Sequence, residues 1–391
     1  MQYSFIYAKK LLLEPAAGSS WASEMVLNPA VLYEEETGRL HMLFRATGPW
    51  PEKQLAGKPL PYPISLGYGW SDDKGESWQF DLQRPALFPK LAYAAEDMYI
   101  TNVYGARVVN YANGGVEDPR LFYFEGECYV ITACRMFPPG PYWEHDEPMQ
   151  CAPDWARNGA HLFGKAATEN YTVNVLWKVD LQKLAAGEYD AAFGYVTHLT
   201  NPQFGEDRDV LIFPERLNID GKQKIVMLQR PYVPGEYLMF AEGTKPSIVI
   251  CSANSFEEFA NPDLPRKIFA SPEFSWEADR IGASAPPVKI GDGEWLLSYH
   301  GKQDAVEGYS QSFMIAKEQE AGYPVIIHRC ADRLIVPTES WEMPNKFKTP
   351  CVFVTGLVKV DDVLIASYGA ADERVGVLKI GYDALLAHIR K

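Results

Sequence analysis

Short apolar runs, bounded by Gly, Pro, Asn and Asp, recur along nearly the whole chain. Apolar residues at the spacing of a helix face are scarce until residues 382–390, which have the pattern of a short closing helix. Runs of this length, separated by turn-forming residues, are typical of β-strands. The pattern therefore predicts an all-β chain with a short C-terminal helix.

Five of the apolar runs share one form, because each ends in a charged or titratable residue at a Gly or Pro turn. These polar ends are Arg45, Arg135, Arg230, His300 and Asp372. They are separated by roughly 70 to 95 residues, which fits one four-stranded sheet plus variable loops. We therefore expect a single domain over residues 1–391, folded as a five-bladed β-propeller.

In a propeller the inner strands of all blades point towards one mouth of the central channel, where ligands bind. The five polar strand ends would therefore meet there, although they lie far apart in the sequence. The alternative is that each of them ends its strand in solvent. That alternative does not explain why five such ends recur in register.

Two long irregular segments, at about residues 81–115 and 136–160, interrupt the repeat. Loops of this length inside a compact domain are uncommon and are usually functional or disordered. Their aromatic residues favour an ordered rim around a pocket; these residues are Tyr93, Tyr99, Tyr104, Tyr142, Trp143 and Trp155.

The net charge of the chain excludes one class of binding partner, the polyanions. With 37 Lys and Arg against 51 Asp and Glu, the formal net charge is −14 at pH 7, and no basic run is present. Such a chain repels polyanions, so we expect no nucleic-acid partner. The first residues lack the order of a signal peptide, and no stretch of about 18 apolar residues occurs, so we expect a cytoplasmic protein without a membrane anchor.

The cysteines and histidines do not suggest a metal site. The six cysteines have no CxxC spacing, which suits buried free thiols in a reducing compartment; they are Cys128, Cys134, Cys151, Cys251, Cys330 and Cys351. The histidines show no ligand spacing, and no Gly-rich phosphate loop precedes a helix. We expect neither a metal nor an organic cofactor.

The turn at residues 114–122 places two adjacent carboxylates, Glu117 and Asp118, next to Arg120. Two glycines free the backbone before them, and Pro119 biases Asp118 towards an extended conformation. A rigidly presented carboxylate is the result. The alternative is an Asx-turn, in which Asp118 binds local backbone N–H groups and Arg120 screens Glu117.

Cationic side chains could form a local cluster although the chain as a whole is acidic. Arg208 lies in the alternating charges of residues 206–216, Arg230 ends the strand that follows, and Arg280 precedes His300 by a short interval. Arginine forks suit tetrahedral oxyanions, so these residues could form an anion site.

The motifs occur in an order that resembles glycoside hydrolase family 130, whose members are β-mannoside phosphorylases and some β-mannosidases on five-bladed propellers. The resemblance runs from Asn28 to about Val377. It is carried by Gly-Val-Glu-Asp-Pro-Arg at 115–120, Phe-Pro-Glu at 213–215, Arg-Pro at 230–231, Arg-Ile-Gly-Ala at 280–283 before a Pro pair, Tyr-His-Gly at 299–301 and Tyr-Gly-Ala-Ala-Asp at 368–372.

The resemblance implies roles for individual residues. It makes Asp118 the general acid and assigns the mannosyl ring to Asn28, Arg45 and Asp372. It assigns phosphate to Arg208, Arg230 and His300, with Arg280 and Tyr309 as additions. Two departures bear on phosphate affinity and linkage: Gln229 stands where many relatives have His, and Asp209 where some phosphorylases have Asn.

Hydrolysis of a glycoside uses two carboxylates, whereas phosphate is already a nucleophile and needs only positioning and charge compensation. The resemblance implies inversion, with Asp118 protonating the leaving oxygen through the 3-hydroxyl of the sugar and α-mannose 1-phosphate as product. We therefore expect an inverting β-mannoside phosphorylase that takes a β-mannoside oligosaccharide and inorganic phosphate.

Two alternatives remain open at this point. One is an inverting β-mannosidase with Glu215, Glu273 or Glu277 as base. The other is a non-catalytic glycan-binding propeller, because fold alone does not secure chemistry. The sequence leaves the linkage, the acceptor sugar and the role of residues 136–160 undecided, and it is compatible with a homo-oligomer.

Overall fold

The computed structural model describes residues 3–49, 63–140, 152–158, 162–203, 205–231 and 244–391. Over these residues the chain is mostly β, with 47% strand and 11% helix. The prediction of an all-β chain is therefore confirmed. Tyr142, Trp143 and Cys151 lie outside the described residues.

The strands group into five antiparallel units that follow one another along the chain, each built on four strands. One parallel bridge between Ile64 and Gly115 joins the first two units into a single sheet. The N-terminal strand is β1 (Ile6–Leu13). The first unit consists of β2 (Met25–Glu34), β3 (Arg39–Thr47), β4 (Ile64–Ser71) and β5 (Gln79–Asp81). A small hairpin of β6 (Tyr99–Thr101) and β7 (Arg107–Val109) precedes the second unit. That unit consists of β8 (Gly115–Phe124), β9 (Glu127–Arg135), β10 (Val173–Val179) and β11 (Phe193–His198).

The later units each have the same four-stranded order. The third contains β12 (Asp207–Ile212), β13 (Leu217–Ile219), β14 (Lys222–Pro231), β15 (Ile248–Ala253) and β16 (Arg266–Ala270), where β13 pairs only with β14. The fourth contains β17 (Arg280–Ala283), β18 (Val288–Gly291), β19 (Glu294–Lys302), β20 (Tyr309–Lys317) and β21 (Val325–Arg329), where β18 pairs only with β19. The fifth contains β22 (Val352–Val360), β23 (Val363–Ala370) and β24 (Arg374–Gly381), and β1 pairs with β24 to complete it.

Helices are short and lie between or after the strands. The α-helices are Asp154–Asn158, Lys165–Thr168, Leu181–Ala185, Tyr189–Ala192 and Tyr382–Ile389. Single 3-10 turns occur at Ala95–Asp97, Glu257–Ala260, Ser275–Glu277 and Ser340–Glu342. The predicted C-terminal helix is confirmed. The segment at 81–115 is more regular than predicted, because it carries the β6–β7 hairpin.

Apolar side chains pack between consecutive units. Leu43 of the first unit and Val130 of the second share one buried cluster, and Ile131 of the second shares another with Ile212 of the third. The aromatic rings of Phe213 and Trp295 meet edge to face, 5.3 Å apart, between the third and fourth units. A fully buried side chain of this size contributes roughly 1.5 to 3 kcal/mol.

The remaining contacts return to the start of the chain. Leu296 and Phe313 of the fourth unit are buried with Leu364 of the fifth, and Val31 of the first unit is buried with Val377 of the fifth. Strand β2 also lies against β22 and β23. The contacts between units therefore run in a cycle, and strands that are buried on both faces explain the nearly continuous apolar runs of the sequence.

The prediction of buried free thiols is confirmed for the five cysteines that the structure describes. Cys128, Cys134, Cys251, Cys330 and Cys351 are buried and free. Burial raises the pKa of the Cys251 thiol to about 12, so this group stays protonated at neutral pH. In the described part of the chain, no helix is long and apolar enough to span a membrane.

Candidate active site

The first strands of three units carry the same local distortion. Asn28 of β2, Asp118 of β8 and Asp209 of β12 have positive φ angles of 45°, 50° and 55°. At each of them the register with the next strand shifts. Asn and Asp tolerate this conformation better than most residues, and a bulge re-aims a side chain. The predicted extended conformation of Asp118 is therefore wrong, because the bulge places this residue in the left-handed region despite Pro119.

One cavity of about 530 Å³ receives side chains from all five units. Its wall contains every residue predicted to bind or react, which are Asn28, Arg45, Asp118, Arg208, Arg230, Arg280, His300, Tyr309 and Asp372. Arg135 lines it as well, so the predicted meeting of the five polar strand ends is confirmed. Their chemical roles remain predictions.

Asp118 is held by side chains of the first unit. Its Oδ1 accepts a hydrogen bond from Asn28 Nδ2 at 2.8 Å and one from Arg45 Nη1 at 3.2 Å. Burial raises the pKa of Asp118, but the Arg45 and Arg120 guanidinium groups outweigh burial and hold it below its usual value. Without a ligand, Asp118 is therefore a carboxylate at neutral pH. We call Asn28, Arg45 and Asp118 the Asp118 side of the cavity.

Glu117 contacts arginines of three other strands, which are Arg45 of β3, Arg135 of β9 and Arg208 of β12. Its Oε1 accepts from Arg135 Nε at 2.8 Å, and its Oε2 lies 3.1 Å from Arg45 Nη1. The side chain is 2% exposed, so its charge is compensated by these contacts. The Asx-turn alternative is wrong, because Asp118 binds residues far along the chain and Arg120 does not screen Glu117.

Arg120 is buried and contacts both Asp118 and Asp209. Its Nη1 donates to the backbone oxygens of Asp118 and Pro119, at 2.9 and 3.2 Å. Its Nη2 is 3.9 Å from Asp209 Oδ1, and its guanidinium carbon lies 5.7 Å from the ring centre of Phe353. Burial lowers the pKa of Arg120, but a guanidinium keeps its proton at neutral pH.

Asp209 is the centre of the opposite wall. Its Oδ2 accepts from Arg230 Nε at 2.5 Å and lies 3.4 Å from His300 Nε2. Burial raises the pKa of Asp209, but its charged neighbours, first of all Arg230, together outweigh burial and bring the pKa to about 2. We call Asp209, Arg230 and His300 the Asp209 side of the cavity.

A glycine makes this contact possible. A Cβ added at Gly282 would lie 2.3 Å from Asp209 Oδ2 and 2.5 Å from His300 Cε1. Gly369 has the equivalent role on the Asp118 side, where an added Cβ would lie 2.1 Å from Asn28 Oδ1. Both glycines are therefore required for close approach rather than for a turn.

His300 is neutral in the free protein. Burial lowers the pKa of His300 to about 3, and the nearby arginines Arg230, Arg120 and Arg280 act in the same direction while Asp209 opposes them. Its ring also lies 4.6 Å from the Phe353 ring and 5.9 Å from the Tyr309 ring, measured between centres.

The arginines of the cavity are paired with carboxylates. Arg208 Nη2 donates to Glu206 Oε1 at 2.9 Å, and Arg280 Nε donates to Asp279 Oδ2 at 2.8 Å. Burial raises the pKa of Glu206, but Arg208 and Arg135 outweigh it and bring the pKa to about 2. The predicted local excess of cations is therefore a set of ion pairs, which the sequence pattern did not reveal.

Comparison with known proteins identifies the family of the chain. The family model described as β-1,4-mannooligosaccharide phosphorylase matches residues 188–391, just over half of the chain. The chain belongs to glycoside hydrolase family 130. The resemblance inferred from the ordered motifs, and the expectation of an enzyme of this family, are thus confirmed.

Relatives named as mannoside phosphorylases match either nearly the whole chain or about half of it. A β-1,2-mannobiose phosphorylase of Thermoanaerobacter sp. (strain X514) is 24% identical over 380 residues, which are 95% of each chain. A β-1,4-mannooligosaccharide phosphorylase of Ruminococcus albus is 24% identical over 185 residues, covering 47% of this chain and 51% of that protein.

A solved structure supports the fold. The β-1,2-mannobiose phosphorylase of Listeria innocua, in complex with β-1,2-mannobiose, superposes with a TM-score of 0.64 at 17% identity. The match covers 97% of this chain and 96% of that one. At this level of identity the likeness concerns the fold alone.

The glutamates considered as hydrolytic bases lie outside the cavity wall of this family 130 chain. Glu215 pairs with Lys289 at 2.5 Å, Glu273 pairs with Arg329 at 3.3 Å, and Glu277 pairs with Arg329 at 2.7 Å. None of the three lines the cavity. Neither the cavity nor the comparisons therefore favour hydrolysis with one of these glutamates as the base.

The predicted aromatic rim is also wrong for its described members. Tyr93, Tyr99 and Trp155 pack against one another or against the core of the second unit, and Trp155 Nε1 donates to the Tyr93 backbone oxygen at 2.8 Å. Tyr104 is exposed. Among the residues that the structure describes, the aromatic ones that line the cavity are Tyr171, Tyr309, Phe347 and Phe353.

Sequence reasoning did not predict that Glu206 and Asp209 pair with the arginines of the cavity, or that Arg120 contacts Asp209. Only the charges of residues 206–209 signalled that carboxylates lie beside Arg208, with Asp207 and Asp209 next to it and Glu206 two residues before it. Which of these side chains faces the cavity depends on the bulge at Asp209, and the apolar pattern does not encode that bulge.

Proposed function

We propose that the chain is an inverting β-mannoside phosphorylase and that its five units are the blades of one closed propeller domain over residues 1–391. The cycle of contacts between units supports the ring. So does β1, which completes the sheet of the last unit and thereby joins the two ends of the chain. Closure by radial repetition is one way in which an all-β chain protects its strand edges.

The observation that carries the proposed activity is the composition of the cavity. A carboxylate suited to proton transfer lies in the same wall as three arginines, a histidine and a tyrosine suited to a tetrahedral oxyanion. Pockets of this size hold small ligands, and convergent polar groups in such a pocket mark its binding site. Relatives named as mannoside phosphorylases support a mannoside and phosphate as the ligands.

On this proposal Asp118 is the general acid, and Asn28, Arg45 and Asp372 hold the mannosyl ring. Asn28 and Arg45 also bind Asp118 directly, so the sugar and the acid share one set of positioning contacts. Such shared contacts orient the reacting groups, which is a large part of enzymatic rate enhancement.

Phosphate is bound by Arg208, Arg230 and His300, with Arg280 and Tyr309 completing its surroundings. Arginine N–H groups compensate the charge of phosphate without supplying a base, which phosphorolysis does not need. Burial raises the pKa of Tyr309 to about 12, so its hydroxyl keeps its proton and can donate to an oxyanion.

The proposed reaction transfers one proton from Asp118 to the leaving oxygen. A phosphate oxygen attacks the anomeric carbon from the face opposite the leaving oxygen, the bond to the acceptor breaks, and α-mannose 1-phosphate forms. The leaving oxygen receives a proton that originates on Asp118 and passes through the 3-hydroxyl of the sugar. Asp118 is left as a carboxylate, which is its state in the free protein. It regains a proton from solvent, and the proton that the attacking hydrogen phosphate carried stays on mannose 1-phosphate until it is released to solvent.

The test is a product analysis with and without phosphate. The purified protein is incubated with β-1,2-mannobiose, β-1,4-mannobiose or mannosyl-GlcNAc, and mannose 1-phosphate and free mannose are quantified. We expect mannose 1-phosphate only when phosphate is present. Equal release of free mannose without phosphate would identify a hydrolase, and sugar binding without turnover of any substrate would identify a glycan-binding protein.

A further inference from the structure

Asp209 is placed where the proposed phosphate subsite should be most positive. Its side chain is 4% exposed, and its carboxylate contacts both Arg230 and His300. A dianion that binds these two residues therefore approaches a buried carboxylate. Like charges at about 4 Å in a protein interior repel strongly enough to weaken binding by more than about tenfold.

Hydrogen bonds on the far side of His300 determine which ring nitrogen carries the proton. Gln311 Nε2 donates to the Val352 backbone oxygen at 2.8 Å, so Gln311 Oε1 faces Ser284 and accepts its hydroxyl proton at 2.8 Å. Ser284 Oγ is then an acceptor for His300 Nδ1–H at 3.2 Å. The neutral ring therefore has its lone pair on Nε2.

Two hydrogen-bond acceptor atoms, His300 Nε2 and Asp209 Oδ2, therefore face each other in the cavity wall. His300 Nε2 lies 3.4 Å from Asp209 Oδ2, and this buried nitrogen has no hydrogen-bond partner among the described residues. Buried polar atoms are rarely left in this state. A proton on Nε2 would make it a donor to Asp209 or to a ligand oxygen and would cancel one negative charge.

Charged groups on the surrounding strands disfavour a proton on His300 Nε2 in the free protein. The cations that face the pair are Arg230 of β14, Arg120 of β8 and Arg280 of β17, and the neutral rings are Tyr309 of β20 and Phe353 of β22. Together with burial, the cations lower the pKa of His300. A bound oxyanion offsets these cations, so the same pair gains affinity for a proton when the anion arrives.

We infer that Asp209 makes oxyanion binding proton-linked: the Asp209–His300 pair takes up one proton when a tetrahedral dianion occupies the cavity. The inference rests on the phosphate subsite of the proposed function. Asp209 is thus a positioning residue that holds Arg230 and His300 and also sets the pH range in which the subsite accepts its anion.

Sulfate is the probe, because it is a tetrahedral dianion that carries no proton at neutral pH. Titration calorimetry of the full chain with sulfate, in two buffers of different ionisation enthalpy, counts the protons taken up. We expect uptake of about one proton and an apparent Kd that rises about tenfold per pH unit between pH 7 and pH 8. Binding without uptake, or no sulfate binding at all, would overturn the inference.

Two variants locate the proton. Asp209→Asn retains an acceptor for Arg230 and can donate to His300 Nε2, so we expect uptake to vanish and the sulfate Kd at pH 8 to fall about tenfold. If this variant does not fold, as checked by thermal denaturation, His300→Gln tests the same pair and should also abolish uptake. Undiminished uptake in a folded variant of either kind would refute the role of the pair.

Asp207→Asn is the matched control. Asp207 lies on the same strand, is buried and accepts from Gln229 Nε2 at 3.0 Å, but it does not line the cavity. Burial raises the pKa of Asp207 to about 7, which makes it the competing site for a proton. We expect the control to retain uptake, and loss of uptake in Asp207→Asn with retention in Asp209→Asn would assign the proton to Asp207 instead.

The sulfate measurement is independent of turnover. A chain that takes up a proton with sulfate but releases no mannose 1-phosphate would retain the proton linkage and lose the proposed phosphorolysis. A chain that releases mannose 1-phosphate but binds sulfate without a proton would retain phosphorolysis and lose the linkage.

Discussion

The Asp118 side and the Asp209 side of the cavity are built by the same backbone device but have different electrostatics. Each places an acidic residue with positive φ at a bulge in the first strand of a unit. Asp118 is 13% exposed at its side chain and shares its contacts between an amide and an arginine. Asp209 is 4% exposed and lies between an arginine and a histidine.

The same kind of bulge therefore places a carboxylate in two different environments, which suit two different roles. A carboxylate that reaches the cavity can exchange a proton with a ligand, as Asp118 must on the proposed mechanism. A carboxylate enclosed by cations mainly fixes their positions and reduces the charge that they present, as Asp209 does for Arg230. Substitutions on the two sides should therefore separate turnover from phosphate affinity.

The largest effect is expected for Asp118→Asn. The amide cannot supply a proton, so phosphorolysis of mannobiose should fall by about 10² to 10⁴ while the fold is retained. The measurement is the rate of mannose 1-phosphate release, with circular dichroism as the check on folding. A p-nitrophenyl β-mannoside has a leaving group that needs no acid, so its rate should fall much less; equal losses on both substrates would contradict the role of Asp118.

Arg230→Ala should instead impair the Asp209 side. It leaves Asp209 buried without its nearest cation, which costs about 3 to 5 kcal/mol of the free energy of unfolding. The KM for phosphate should rise by about a hundredfold. Urea unfolding and initial-rate kinetics measure the two effects.

A double variant isolates the cause of the stability loss. Asp209→Asn combined with Arg230→Ala removes the uncompensated charge, so it should recover more than half of the lost free energy of unfolding. No recovery would mean that Arg230 stabilises the fold through packing rather than through Asp209.

Glycine substitutions compare the two sides directly. Gly282→Ala should displace Asp209 and His300 and raise the phosphate KM by about tenfold, whereas Gly369→Ala should displace Asn28 and raise the mannoside KM by a similar factor. Gly115→Ala is the control, because its added Cβ would meet Ile64 at an ordinary 3.5 Å. Equal changes in both KM values for either cavity variant would break the distinction between the sides.

The smallest effect concerns acid stability. The folded pKa of His300 is about 3, whereas an unfolded chain binds the proton near about pH 6.5. The unfolded state therefore holds more protons between these values, and stability is lost as the pH falls through this window. His300→Gln should flatten the decline of Tm between pH 7 and pH 4 by a few degrees; an unchanged slope would show that His300 does not contribute.

Much of the fold was predictable because the strands are buried on both faces. The apolar runs that end at Arg45, Arg135, Arg230 and His300 correspond to β3, β9, β14 and β19. Their charged ends are conspicuous against such runs, which is why the meeting of these ends in one cavity could be predicted. The partners of those ends were not predictable, because Arg45 and Asp118 belong to different units.

Periodicity and ordered motifs were sufficient for the strand content, the number of polar strand ends and the family. The left-handed conformation of Asn28, Asp118 and Asp209 was decided only by the folded chain, because the register shift that produces it involves the pairing of whole strands. The pairing of the cavity arginines with carboxylates was also decided only by the folded chain. Ion pairing depends on distances of 3 to 4 Å between residues of different units, and linear order does not contain those distances.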